Sequence, residues 1–319
     1  MVRNNKLSRR GFLQGIGVGA LGLTAASWTG VQRVFAQTSA STASVTAISR
    51  FNVGDFEVTA LQDALFPFDP TIFGANAGEG EVAEILAANN LPTESVNTTV
   101  TVLLVNTGDQ LILLDTGNGA ANGGRLLASL ELIGVAAGDI NAVVISHFHP
   151  DHIGGVSTDG AATFPNAAYY FPQAEWDFMQ NAPADSPAAE TIAAANAALQ
   201  PVIDAGQINY YAAEGEILPG IEAVPTPGHT PGHSALRIVS GEASLLNIVD
   251  AALNNVVSLA RPDFFAGFDA IPEQAAETRL ALLTSVAEEG QQIFGYHFPF
   301  PGVGYVVADG EGFRFVPAF

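Results

Sequence analysis

The stretch Ser146-His147-Phe148-His149-Pro150-Asp151-His152-Ile153-Gly154-Gly155 places three imidazoles and a carboxylate within six positions. It follows the apolar run Ala142-Val143-Val144-Ile145, which reads as a strand delivering the chain to a tight turn. Imidazole nitrogen and carboxylate oxygen are the ligands that borderline divalent ions such as zinc prefer. Half of the six histidines in the chain sit in this run. Such density points to a metal site rather than to a solvated loop.

The other candidates lie far along the chain. His229 stands in Thr226-Pro227-Gly228-His229-Thr230-Pro231-Gly232-His233, Asp250 ends the run Ser244-Leu245-Leu246-Asn247-Ile248-Val249, and His297 follows Gln292-Ile293-Phe294-Gly295-Tyr296. Each falls at or just beyond the end of an expected strand, where a scaffold can hold it rigidly. In its order (His-x-His-x-Asp-His, then His, Asp and His) the pattern resembles that of the metallo-β-lactamase-fold hydrolases. All seven positions are filled, by His147, His149, Asp151, His152, His229, Asp250 and His297.

The resemblance implies two metal sites. His147, His149 and His229 would hold one ion, Asp151, His152 and His297 the other, and Asp250 would bridge them. Two neighbouring cations need a shared anion to offset their repulsion, which agrees. The cofactors expected are two divalent ions, zinc first, with manganese, cobalt and iron as other candidates. The reaction implied is attack by a metal-bridging hydroxide on phosphorus or on a carbonyl carbon, with Asp250 as the bridge and Asp151 as a candidate proton acceptor. Asp115, which ends Leu111-Ile112-Leu113-Leu114, is the expected support for a ligand imidazole. His233 reads as a structural hydrogen-bonding residue.

Within the superfamily, Val53-Gly54-Asp55-Phe56-Glu57-Val58-Thr59-Ala60-Leu61, Phe164-Pro165-Asn166-Ala167 and the closing Phe300-Pro301-Gly302-Val303-Gly304 look like the methyl parathion hydrolase family. That likeness implies hydrolysis of small neutral phosphotriesters or aryl esters. A lactonase or other carboxylic ester hydrolase of the same fold is the alternative, and a non-catalytic periplasmic metal-binding protein a remote one. The lactonase branch commonly carries Tyr three residues after the bridging Asp, where this chain has Leu253. Flavin-linked di-iron relatives usually have Glu at the position of His149, which disfavours redox chemistry. Trp176, Phe178, Phe264, Phe265, Phe268, Phe298 and Phe300 are candidates for an aromatic pocket, most of them expected in the core.

Ser8-Arg9-Arg10-Gly11-Phe12-Leu13 fits a twin-arginine export signal, followed by an apolar stretch and a small-residue cleavage site at Val34-Phe35-Ala36. The expectation is a signal peptide over 1–36, handled by the twin-arginine machinery, and a periplasmic or secreted protein with no stable membrane insertion after cleavage. Five of the 11 basic residues and none of the 32 acidic ones lie in 1–36, which leaves six basic against 32 acidic side chains, a formal −26 without lysine. Such a surface repels phosphate backbones and argues against a nucleic-acid partner. The absence of cysteine excludes disulfides and thiolate ligands. A homodimer stays open.

Residues 37–50, rich in Ser, Thr and Ala, read as a flexible leader, and 51–319 as a single α/β domain. Phe51–Leu61 reads as one strand, Gly119–Ile133 as a helix, and the Ala-rich 173–206, broken by Pro183 and Pro187, as two helices capping the site. Strands then alternate with one more helix, Pro272–Ala287, before a closing hairpin at Asp309-Gly310. This alternation argues for sheets with helices outside. The resemblance, not periodicity, selects a four-layer αββα sandwich.

Overall fold

The computed structural model describes residues 47–319; the expected export signal and most of the leader lie outside them. Among the described residues the chain forms two mixed seven-stranded sheets and a small two-stranded one. The first large sheet runs β1 (Ile48–Val53), β2 (Phe56–Phe68), β3 (Val96–Asn106), β4 (Leu111–Leu114), β5 (Ala142–Val144), β8 (Ala168–Pro172) and β9 (Ile208–Tyr211). β6 (Ser157–Thr158) and β7 (Ala161–Ala162) make the small ribbon. The second large sheet is β10 (Gly215–Leu218), β11 (Ile221–Pro225), β12 (Ser234–Ser240), β13 (Ala243–Asn247), β14 (Gln292–Phe294), β15 (Val303–Asp309) and β16 (Gly312–Pro317), side by side in chain order.

Alternation along the strands explains the layers. On β12, Ala235 faces one apolar cluster and Leu236 and Ile238 another; on β13, Leu245 and Leu246 divide the same way, as do Ile293 and Phe294 on β14. Leu236, Ile238, Leu245 and Phe294 meet Val58, Leu61, Leu103 and Val143 of the first sheet in one core between the sheets. Ala235, Leu246 and Ile293 meet Leu283 and Val286 on the outside. A period of two with both faces buried is what an inner sheet of a layered α/β fold requires.

The helices are α1 (Glu81–Ala88), α2 (Leu126–Leu132), α3 (Pro150–Ile153), α4 (Gln173–Asn181), α5 (Ala189–Asp204), α6 (Val257–Ala260) and α7 (Pro272–Glu289). α7 supplies the outer contacts to the second sheet. Leu126 and Leu130 of α2, Met179 of α4, and Ile192 and Leu199 of α5 pack on the first. The expected αββα sandwich is the observed fold.

Three boundaries differ from the sequence reading. Phe51–Leu61 is not one strand: Gly54 adopts φ 57° and turns the chain, so β1 and β2 pair antiparallel with Ile48 opposite Leu61. Three residues of the expected leader, Ile48–Arg50, belong to that hairpin. The helix expected from Gly119 is confined to α2, because Gly119 and Gly123 both take positive φ ahead of it.

Parallel pairing is confined to two places, β4–β5–β8–β9 in the first sheet and β13–β14 in the second. Parallel strands send their C-terminal ends to one edge, where loops can converge on a ligand. The candidate residues emerge from those ends.

Candidate metal centre

The loop after β5 carries His147 and His149, and α3 carries Asp151 and His152. Pro150 suits the first position of α3, because its missing N–H has no intrahelical partner there. Gly154 and Gly155 let this turn pack against the segment after β4. A side chain on Gly154 would collide with the Asn118 carbonyl, and one on Gly155 with the Thr116 carbonyl. His229 comes from the loop between β11 and β12, Asp250 from a 3-10 turn after β13, and His297 from the loop after β14.

The seven side chains converge. His147, His149, His229 and Asp250 offer ligand atoms that all lie within 4.8 Å of one another, and so do Asp151, His152 and His297. Asp250 reaches both groups. Its Oδ2 lies 3.1 Å from His229 Nε2, and its Oδ1 lies 3.2 Å from His297 Nε2 and 3.4 Å from His152 Nε2. His149 turns Nδ1 inward, 2.9 Å from His229 Nε2.

Around this cluster the outer ring nitrogens are held. His152 donates from Nδ1 to Asp115 Oδ2 at 2.9 Å, and His297 from Nδ1 to the Thr99 carbonyl at 2.7 Å. His229 Nδ1 lies 2.9 Å from Asp269 Oδ1. Ser146 Oγ donates to Asp115 Oδ2 at 2.8 Å, which leaves its oxygen to accept from His147 Nδ1 at 3.0 Å. These bonds hold Nδ1 of each ring outward, so that Nε2 is the atom turned into the cluster. Among buried side-chain atoms without a hydrogen-bond partner are His147 Nε2, His152 Nε2 and Asp250 Oδ1. Buried polar atoms left unpaired are costly, and here several point at one another. The donor set and the orphaned atoms fit two divalent ions.

The electrostatics of the protein alone agree. Burial, with neighbouring imidazoles, drives His147 well below its ordinary range and His149 down to about 3. At His229 burial also opposes charge, but Asp250 and Asp269 outweigh it and raise the ring to about 9. Burial acts against the Asp250 anion too, yet His297 and His152 hold its carboxyl well below the usual range. Against burial, Asp250 and Asp151 also raise His152 and His297, so the buried carboxylates draw positive charge into the cluster.

Backbone strain accompanies this placement. Asp115 has φ 62° and the β-branched Val249, next to Asp250, has φ 47°. Left-handed non-glycine residues cost of order 1–3 kcal/mol each and persist where the surroundings over-determine them. Asp115 is buried and accepts from the Ser146 N–H and from His152 Nδ1. His233 is structural: its Nε2 accepts from the Asp250 N–H at 3.2 Å, so the protonated Nδ1 donates to the Thr226 carbonyl at 3.0 Å.

Two buried carboxylates escaped the sequence reading. Asp269 holds His229 from outside the cluster. Glu175, at the start of α4, accepts hydrogen bonds from Thr230 Oγ1 and, at 2.7 Å, from the Gly232 N–H. Burial lifts its carboxyl to about 7 even though those bonds favour the anion. No local motif marks either one, because their partners lie 40 and more residues away in sequence.

A cavity of about 1030 Å³ opens over the cluster, lined by His149, Asp151, His229, Asp250 and His297 at one end. Six phenylalanines form much of the remaining wall: Phe66, Phe68, Phe73, Phe148, Phe178 and Phe268. Of the aromatic candidates, only Phe178 and Phe268 line it. Phe264 and Phe298 are core residues, and Trp176 packs on Tyr210 at 5.3 Å between ring centroids. Leu253 is also in the wall, as are Pro187 and Ala188 between α4 and α5. The two Ala-rich helices therefore do flank the site.

Comparison with known proteins places this arrangement. The sequence profile described as the metallo-beta-lactamase superfamily matches residues 96–289. An N-acyl homoserine lactonase of a Bacillus species is 28% identical over 236 residues, covering 65% of this chain and 84% of that relative. The solved structure of AidC, a dizinc quorum-quenching lactonase in complex with a product, superposes with TM-score 0.81 at 28% identity, over 86% of this chain and 98% of that one. The crystal structure of AbOPH, a hydrolase in the beta lactamase superfamily, superposes with TM-score 0.80 at 30% identity and the same coverage. The chain belongs to the metallo-beta-lactamase superfamily and is a metal-dependent hydrolase.

Proposed function

We propose that this protein hydrolyses lactones or closely related neutral carboxylic esters bearing an apolar arm, with two zinc ions held by the seven converging side chains. The observation that carries the reading is the cavity: it ends on the ligand cluster, its wall is rich in phenylalanine, and no lysine or arginine lines it. Away from the ions, an anionic group would find no basic side chain in the wall, whereas an acyl chain would find apolar surface worth about 25 cal/mol per Å² buried. The lactonases among the relatives support the same choice over the phosphotriester reading.

When bound, paired divalent ions supply Lewis acidity toward an ester oxygen and lower the pKa of water. The chain's own residues do the rest. His147, His149 and His229 would hold one ion, Asp151, His152 and His297 the other, with Asp250 shared. Hydrolysis forms a bond from water oxygen to the acyl carbon and breaks the acyl–oxygen bond, and a departing alkoxide needs a proton. Asp151 would carry it from the water to the alkoxide: it lines the cavity, and its side chain is 31% exposed, against 4% for Asp250. Wall phenylalanines exclude water and hold the apolar arm.

A second reading, phosphotriester or aryl ester hydrolysis as in the methyl parathion hydrolase family, is favoured by Leu253. This residue contributes a buried alkyl group to the wall where lactonases commonly carry a tyrosine hydroxyl. An aryloxide leaves without a general acid and would not need that hydroxyl. The two readings separate in kcat/KM, measured on one zinc-loaded preparation for an N-acyl homoserine lactone and for a neutral aryl phosphotriester. The proposal expects a lactone preference of at least a hundredfold, about 2.7 kcal/mol of transition-state discrimination. The reverse preference would replace it with the second reading.

A further inference from the structure

Arg279 on α7 is the buried arginine among the described residues. Its Nε donates to the Ala251 carbonyl at 2.8 Å, and Nη1 to the carbonyls of Pro262 at 3.1 Å and Phe264 at 2.5 Å. Nη2 meets Asp269 Oδ2 at 3.1 Å. That oxygen also accepts from the Ala266 N–H at 3.0 Å, while Oδ1 faces His229 Nδ1 at 2.9 Å. A guanidinium taken out of water costs several kcal/mol, and apolar residues of similar volume often serve stability as well or better. Packing alone therefore does not explain the pair.

Its connections do. Ala251 directly follows Asp250, and the segment from Ala251 to Ala270 gives the cavity Leu253, Gly267, Phe268 and Ala270. One guanidinium thus pins the backbone beside the shared carboxylate, the middle of the wall segment, and the carboxylate that orients His229. We infer that Asp269 and Arg279 are positioning residues of the metal centre. Asp269 fixes the tautomer and ring plane of His229 with Nε2 turned inward. Arg279 fixes Asp269 and the turn that follows Asp250. The inference rests on the metal-centre reading and not on the choice of ester.

The test compares wild type, Asp269→Asn and the double variant Asp269→Asn/Arg279→Met. Zinc stoichiometry and affinity are measured by competition with a chromophoric chelator, the cobalt(II) visible spectrum is recorded, and thermal unfolding of the metal-free proteins is followed. Asp269→Asn should weaken one of the two ions about 10–100-fold and leave the other in place. It should also lower the unfolding temperature, because Arg279 loses its counter-charge. In the double variant the weak ion should stay weak and the cobalt spectrum stay altered, and the unfolding temperature should stay low, because the carbonyls of Ala251, Pro262 and Phe264 lose their donor. Wild-type affinity for both ions in Asp269→Asn, or its return in the double variant, would overturn the inference and leave the pair a stabilising one. Fewer than two ions on the wild type would instead overturn the metal-centre reading, and this inference with it.

Discussion

Asp115 shows what one residue does in this centre. Its two oxygens accept from three donors, the Ser146 N–H at 2.7 Å, Ser146 Oγ at 2.8 Å and His152 Nδ1 at 2.9 Å. Through Ser146 it orients His147, and directly it orients His152. An Asp115→Asn side chain offers one acceptor and turns an NH2 toward a buried donor. The expected result is a loss of about 1–3 kcal/mol in stability for the unmet donor, with zinc affinity about 10–100-fold weaker. Thermal unfolding and chelator competition measure the two separately. Asp115 was legible in the sequence because it ends an apolar strand ahead of Thr116-Gly117. Among the ligand candidates, His147 and His149 follow β5 and His297 follows β14, while Asp151 and His152 sit on α3 and were marked by the density of imidazoles in their run. Asp269, which braces His229, and Glu175, which holds Thr230 and the Gly232 N–H, were not legible, since their partners lie far along the chain and leave no local pattern.

At the scale of elements, hydrophobic runs located the strands and prolines located the helices of the cap. Pro183 and Pro187 fall between α4 and α5 as read. Errors arose where a turn hid inside an apolar run. The Gly54-Asp55 turn interrupts what reads as one strand, and only the pairing of Val53 with Phe56 reveals the hairpin. Phe66 and Phe68 were overlooked as wall residues because the last turn of sequence in β2 lies beyond the strand as read. Phe178 near the end of α4 also lines the cavity, 6.0 Å from Phe148 between ring centroids. If the cap element sets acyl preference, Phe178→Ala should lower kcat/KM for long-chain acyl lactones about 10–200-fold and change short-chain turnover much less. Equal losses across chain length would show that the cap does not grip the acyl arm.

For the whole molecule, two sheets bury their shared faces while the C-terminal ends of parallel strands meet at one edge. That geometry brings ligands from sequence positions 147 to 297 within 4.8 Å of their group partners. Composition indicated what the molecule avoids: the excess of acidic over basic residues beyond residue 36 disfavours polyanions, and the cavity wall carries no lysine or arginine. Layer order was not legible from periodicity, because a doubly wound sheet alternates strands and helices too. The division of Leu245 and Leu246 between two apolar clusters is what reveals a second sheet with its own helical layer. The central claim is that this edge holds two metal ions on which hydrolysis depends. It is tested most directly by stripping the protein with a chelator and titrating zinc back while following bound metal and lactone hydrolysis together. Activity should be absent in the stripped protein and rise until two equivalents are bound. Hydrolysis by the stripped protein, or full activity with no more than one bound equivalent, would contradict the account.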